Sequence, residues 1–204
     1  MVGTISREAK MFRISLILVM AVSGNRATDY VLELEELYSE CTDGPVGSVP
    51  LDVAFNVDNF RSVIDSDGVH VSGNVTTVWG FERSDRLAGK INVFRYNRGT
   101  WEPTLFNIAT QNVCSAIFDK KSYWYKWWFQ YIVNQEEIQE KCIITKDTVL
   151  VHNPFVVKLG LDNISGPPVQ GRYKSVIIWE VFDKNNVRRP LSTCYEVRGR
   201  VERK

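Results

Sequence analysis

The chain carries no excess of charge of either sign, because 25 Lys and Arg residues balance 24 Asp and Glu residues and leave a formal net charge of +1. Nucleic-acid binding needs a concentrated cationic face, so this balance argues against a nucleic-acid partner. Histidine is also scarce, with only His70 and His152. The sequence has no His-Glu-x-x-His motif, no nucleophile elbow and no phosphate-binding glycine loop. We therefore expect no catalytic residues, no metal site and no cofactor.

No apolar run reaches the roughly 18–20 residues that a membrane-spanning helix requires. The most apolar run, at 14–22, follows the basic residues Lys10 and Arg13 and precedes two small residues. A basic flank, a short apolar run and small residues are the layout of a secretory signal peptide. We predict a signal peptide over residues 1–24, with cleavage as late as Ala27, and a secreted, extracellular protein.

The remaining residues, 28–204, show no internal repeat, low-complexity tract or interdomain linker. This length suits one domain with a sizeable core and is short for two. Met11 is an alternative start, because residues 1–10 add nothing that a signal peptide requires.

Four widely spaced cysteines lack any Cys-x-x-Cys pair or nearby histidine, which argues against zinc. An even number of cysteines in an oxidising compartment predicts two disulfides. Spacing alone allows three pairings. We favour Cys41 with Cys194, which would join the two ends of the domain, and Cys114 with Cys142, which would enclose an aromatic segment.

Two tripeptides have the N-glycosylation pattern, Asn74-Val-Thr76 and Asn163-Ile-Ser165. Both asparagines are expected at accessible positions. We predict that Asn74 and Asn163 carry glycans.

Three stretches alternate between apolar and polar residues with the period of two that is typical of half-buried strands. In the stretch from Val69, this alternation places Asn74 on the solvent face. In the stretch from 151 it directs His152 to solvent, and a third stretch covers 193–202. The inward residues expected in the second stretch are Val151, Phe155, Val157, Leu159 and Leu161.

Residues 173–182 are apolar at odd and even positions alike, which predicts a central strand or one that lines an internal space as well as a core. Further strands are expected at 49–57, 87–96 and 104–108, and turn residues mark loops at 67–68, 98–99, 166–171 and 183–186. About seven or more short strands predict an all-β sandwich or cup.

The segment at about 118–141 breaks this alternation and is the only helical segment that we predict. Aromatic and apolar residues recur there at helical spacing. Asn134 followed by Glu137 resembles a capping box, so two short helices are an alternative to one.

Seven of the nine residues at 123–131 are aromatic. A helix on a sheet buries about one face, so the surplus aromatics must pack under loops, line a cavity, meet a partner or touch a membrane. Lys120, Lys121 and Lys126 could meet an anionic headgroup there, but we favour their being ordinary solvated charges.

Several stretches together resemble an insect-expanded family of small secreted ML-like proteins. They are Val71–Trp79, Phe94–Pro103, Phe118–Tyr125, Arg172–Lys174, Asp183–Pro190 and Cys194–Gly199. That family is similar to the CheB chemosensory proteins and, more remotely, to the ganglioside-activator branch of ML lipid-recognition domains.

The resemblance implies an immunoglobulin-like β-sandwich opened into a β-cup, two splayed antiparallel sheets around an apolar cavity with an aromatic rim. It also implies the disulfide pairing favoured above and a role in chemosensation or pheromone response. The ligand-binding residues that we predict are Trp124, Trp127, Trp128, Phe129, Tyr131, Phe155, Val157, Ile177 and Trp179.

We therefore expect a non-enzymatic binder or carrier of an apolar small molecule, either a lipid or a hydrophobic semiochemical. A receptor, an ion channel or a membrane surface would be its further partner. The alternative is an extracellular protein-binding sandwich that uses the aromatic run as its interface.

Overall fold

The computed structural model describes residues 27–204. The predicted signal peptide at 1–24 lies outside the described residues. The strands are β1 (Thr28–Glu40), β2 (Ser48–Val49), β3 (Phe55–Asn56), β4 (Phe60–Asp65), β5 (Gly68–Thr77), β6 (Arg86–Asn97), β7 (Thr100–Thr110), β8 (Val149–Val157), β9 (Gly160–Ile164), β10 (Gly171–Phe182) and β11 (Arg188–Arg203). The helices are α1 (Leu51–Ala54), α2 (Val113–Ala116), α3 (Tyr123–Trp127) and α4 (Gln135–Lys141), with a 3-10 turn at Phe129–Tyr131.

The strands form two sheets. The larger is curled and has the order β7-β6-β10-β11-β1-β9, with β2 pairing in parallel with β11. In the smaller sheet β5 is central, with β3 and β4 along one side and β8 along the other. The all-β prediction of a sandwich or cup is thus confirmed.

The strand β10, predicted to be central, lies between β6 and β11 and is paired along most of its length. Its odd-numbered and even-numbered side chains pack in different hydrophobic clusters. Ile177 and Trp179 join the main core, whereas Val176 and Ile178 form a small outer cluster with Cys194.

Both disulfides have the predicted pairing. Cys41–Cys194 fastens the chain after β1 to the adjacent strand β11. Cys114–Cys142 joins α2 to the end of α4 and so closes the loop that contains the aromatic segment.

Two predicted elements are wrong in detail. The strand expected at 49–57 is interrupted by α1, which begins directly after Pro50. Proline lacks the N–H that a strand ladder needs and is well tolerated at the start of a helix. A further helix, α2, was not predicted, and the Asn112 side chain caps it by accepting from the Ser115 N–H at 3.2 Å.

The segment predicted as helical at 118–141 is divided into shorter pieces. The Ser122 hydroxyl caps α3 by accepting from the Tyr125 N–H at 3.1 Å. The backbone leaves helical geometry at Trp128, and α4 begins only after Asn134. The alternative of short separate helices is therefore correct, although the Asn134 side chain donates to Val149 O of β8 at 2.7 Å instead of capping α4.

The single strand expected from 151 to 161 is two strands in different sheets, β8 and β9. Leu161, predicted to face inward, lies on the edge strand β9 and is exposed. The alternation also changes phase inside β8, because Phe155 pairs with Val71 whereas His152 pairs with Gly73. Two residues of β8 face one residue of β5 at this bulge, which reverses the side-chain alternation.

Candidate functional site

An apolar cavity of about 310 Å³ lies between the inner faces of the two sheets. Its volume is at the lower end of the roughly 300–1,000 Å³ range of small-molecule sites. The lining residues are Leu34, Leu37, Tyr38, Leu51, Phe55, Val57, Phe60, Val69, Val71, Val75, Ile91, Tyr123, Trp124, Trp127, Trp128, Leu150, His152, Phe155, Val157, Leu159, Ile177, Trp179, Tyr195 and Val197. None of them is an aspartate, glutamate, lysine or arginine.

The aromatic segment supplies one wall through Trp124, Trp127 and Trp128. The Trp124 indole donates to Thr110 Oγ1 at 2.7 Å, which anchors α3 to the end of β7. Close approach to the sheet depends on Gly89, since a Cβ there would lie 2.9 Å from the Trp124 ring. The wall is therefore held by specific contacts with the large sheet.

The opposite walls come from strands of both sheets. In the large sheet, Ile177 and Trp179 of β10 line the cavity. In the small sheet, Phe155 and Val157 of β8 line it. The Trp128 and Trp179 ring centroids lie 6.2 Å apart, so the aromatic wall continues onto the sheet.

Two of the nine predicted ligand-binding residues lie outside the lining. Phe129 is fully buried and packs edge-on against Phe118, with 4.8 Å between ring centroids. Tyr131 stacks on Phe155 with a centroid distance of 3.9 Å. Phe129 thus anchors the segment in the core, and Tyr131 backs a residue of the cavity wall.

His152 is buried in the cavity wall, so its predicted solvent-facing position is wrong. The bulge in β8 that precedes Phe155 turns the imidazole inward. Trp128 Nε1 donates to His152 Nε2 at 3.1 Å, and His152 Nδ1 lies 3.1 Å from Gly73 O. Because Nε2 accepts, Nδ1 carries the proton and donates to that carbonyl.

Burial lowers the pKa of His152, and the backbone hydrogen bonds at Gly73 and Leu150 only partly oppose this effect. The imidazole is therefore neutral at neutral pH. Burial also raises the pKa of Tyr38 to about 12 and raises the pKa of Tyr195 and Tyr123. The phenols stay protonated, and the cavity wall is uncharged.

Sequence reasoning missed the part of the wall that β1 supplies, namely Leu34, Leu37 and Tyr38. Leu34 and Leu37 are three residues apart instead of two. The register of β1 against β11 shifts just after Leu34, and this irregularity hides the alternation. The run from Leu32 to Glu35 still alternates and was the available signal.

Other predicted residues lie away from the cavity. Asn74 and Asn163 are exposed on strands of different sheets. Lys120, Lys121 and Lys126 are also exposed, and none of them lines the cavity.

Between residues 27 and 204, none of the helices has the length and apolar character needed to cross a membrane.

Residues 89–175 match the model of a family described as "Protein of unknown function (DUF1091)". The matched range runs from β6 into β10 and includes the whole aromatic segment with its disulfide. No curated protein matches the chain.

Proposed function

We propose that the protein is a non-enzymatic binder or carrier that takes one apolar molecule, a lipid or a hydrophobic semiochemical, into the cavity between its sheets. The observation that carries this proposal is the cavity itself, about 310 Å³ in volume and lined without any ionised side chain. Such a space offers apolar contacts and hardly any directional chemistry, which suits retention of a molecule better than its conversion.

The hydrophobic effect supplies the main favourable free energy for this role. Each buried methylene contributes about 0.8 kcal/mol. A chain of about twelve carbons therefore gains on the order of 10 kcal/mol before the cost of association, which is roughly 4–15 kcal/mol. Tryptophan faces in the wall add contact area at a low entropic cost.

Secretion is part of the proposal. The predicted signal peptide at 1–24, two disulfides and exposed sequon asparagines at 74 and 163 are typical of exported proteins. The resemblance to CheB-like and other ML-like proteins supports a chemosensory role, including pheromone response, in which a receptor, an ion channel or a membrane would take up the ligand.

Native mass spectrometry of protein secreted from insect cells tests the proposal. We expect an additional apolar molecule on the wild-type chain. A Val75→Phe variant should carry less of it, because Val75 lines the cavity and the larger ring takes up part of the space. Val156→Phe is the matched control, since Val156 is exposed on β8 and does not line the cavity.

If the wild-type protein shows only the mass of its own chain and takes up no added apolar compound, the carrier function is contradicted. That result would favour the protein-binding alternative instead.

A further inference from the structure

A second cavity of about 680 Å³ adjoins the apolar one, and we call it the vestibule. Five residues line both spaces: Leu34, Val69, Trp127, Val157 and Leu159. The vestibule lies between the β1–β9 side of the large sheet and the β4–β5 turn of the small sheet. A chain held in the inner cavity can therefore extend into the vestibule past Trp127.

The vestibule differs from the inner cavity in its charges. Four carboxylates line it, those of Glu33, Asp65, Asp67 and Asp162, against two ammonium groups, those of Lys158 and Lys204. Its formal charge is thus −2.

Both vestibule ammonium groups already have carboxylate partners. Lys204 Nζ lies 2.9 Å from Asp162, and Lys158 Nζ lies 3.5 Å from Asp67. Asp65 accepts from the Asp67 N–H at 2.7 Å, which lowers its pKa and keeps it ionised. Each ammonium group is thus already partly neutralised, and an entering anion would face the repulsion of the four carboxylates.

The inner cavity offers no substitute partner for an anion. Its lining contains no lysine or arginine, and its imidazole, His152, is neutral and already hydrogen-bonded at both nitrogens. Burying a carboxylate there without a partner is strongly unfavourable.

We propose that the ligand is an elongated molecule with an uncharged polar end, such as a long-chain alcohol or ester, whose chain fills the inner cavity while its polar end lies in the vestibule. The same site discriminates against the free fatty acid, because each lysine that lines it within residues 27–204 already has a carboxylate partner. This inference rests on the proposed function.

The test uses two probes of equal chain length, dodecanol and dodecanoate, added to the intact secreted protein near neutral pH. Each displaces a fluorescent apolar dye, and the displacement curves give two dissociation constants. We expect dodecanol to bind at least about tenfold more tightly than dodecanoate.

A charge reversal assigns the discrimination to the vestibule. Glu33 is exposed on β1, and Glu33→Lys would place an unpaired cation in the vestibule. This variant should raise the affinity for dodecanoate by about fivefold or more and leave dodecanol unchanged. Glu40→Lys is the matched control, since Glu40 is also exposed on β1 but lines neither cavity.

The outcomes separate the two proposals. If dodecanoate binds as tightly as dodecanol, or if Glu33→Lys and Glu40→Lys behave alike, the inference about the polar end is wrong and the carrier function stands. If neither probe displaces the dye, the carrier function itself is wrong.

Discussion

His152 places a polar ring in a wall of otherwise apolar side chains. Its two nitrogens are matched by one donor, the Trp128 indole, and one acceptor, the Gly73 carbonyl. Protonation would leave the indole N–H facing a second donor. The contact is therefore stable only with a neutral imidazole.

This arrangement predicts a loss of stability in mild acid. Burial holds the pKa of His152 in the folded state below the value of 6.5 that it takes when unfolded. Below that pH the unfolded chain binds a proton that the folded chain does not, so the free energy of unfolding falls as pH falls. Above it, His152 contributes no pH dependence.

Urea denaturation at about pH 7.5 and about pH 5.5 measures this effect. We expect the wild type to lose about 1 kcal/mol more between these conditions than His152→Gln does. The comparison also cancels the contribution of every other titrating group, because the two proteins differ only at residue 152. Equal losses in the two proteins would show that His152 is not buried in a neutral form.

Individual residues were predicted best where the chain is regular. Trp127 and Ile177 line the cavity, and their role in binding a ligand stays a prediction. His152 was misplaced because the bulge in β8 shifts the alternation by one residue, and period-two reasoning carries no signal for a bulge. Only Pro154, next to the bulge and poorly suited to a continuous ladder, marked the site in the sequence.

Among the structural elements, the aromatic segment contributes residues both to the cavity wall and to the core. Trp127 is half-buried and lines both the cavity and the vestibule. Phe129 is completely buried and lines neither. Neighbouring aromatics in one short segment are thus divided between the cavity wall and the core.

A pair of alanine variants tests this division. Trp127→Ala should weaken ligand binding about tenfold or more, because a wall face is lost, with a modest change in stability. Phe129→Ala should instead lower the free energy of unfolding by about 3–5 kcal/mol, because it empties a core position. Dye binding and urea denaturation of both variants give the two readouts.

The reverse pattern, with Trp127→Ala unfolding the protein and Phe129→Ala losing only ligand, would show that the two roles are exchanged.

The type of an element, helix or strand, could be predicted more often than the residues at which it begins and ends. The aromatic segment could be recognised because it lacks the period of two. Its division into α3, a 3-10 turn and α4 depends on the non-helical backbone of Trp128 and on the hydrogen bond from Asn134 to β8. These are tertiary contacts, which local periodicity does not encode. The strand β1 was missed for the same kind of reason, a register shift against β11.

At the scale of the whole molecule, the apolar cavity and a buried group of ion pairs lie on opposite faces of the large sheet. On its outer face, Lys174 is buried and lies 3.0 Å from Glu196 and 2.6 Å from Asp43. Burial raises the pKa of Glu196, but hydrogen bonds from Thr42, Arg198 and Lys174 outweigh it and lower the pKa to about 2. Its stabilising effect is complete above pH 4.5 and is lost as pH falls to about 2.

Lys174→Met tests the separation of the two faces. It removes one of the two cations that pair with the buried Glu196 carboxylate and leaves Arg198 at 2.8 Å, so it should lower the free energy of unfolding by about 2 kcal/mol. Ligand affinity should not change, because Lys174 points away from the cavity. Lys90→Met is the matched control, because Lys90 is half-exposed in its pair with Glu180 and its loss should cost about 1 kcal/mol or less.

If the two lysine variants were equally stable, the buried pair of Lys174 with Glu196 would add nothing to stability. If Lys174→Met weakened ligand binding, the two faces would not act independently.

The central claim, that the sheets enclose a space for one apolar molecule, is tested most directly by following tryptophan fluorescence while delipidated protein is titrated with N-phenylnaphthylamine. Trp124, Trp127, Trp128 and Trp179 all line the cavity, so a dye inside it lies within reach of four donors for energy transfer. We predict saturable quenching that ends at one dye per chain and is weakened by Val75→Phe. Quenching that does not saturate, or that is the same in Val75→Phe as in the wild type, would contradict the account.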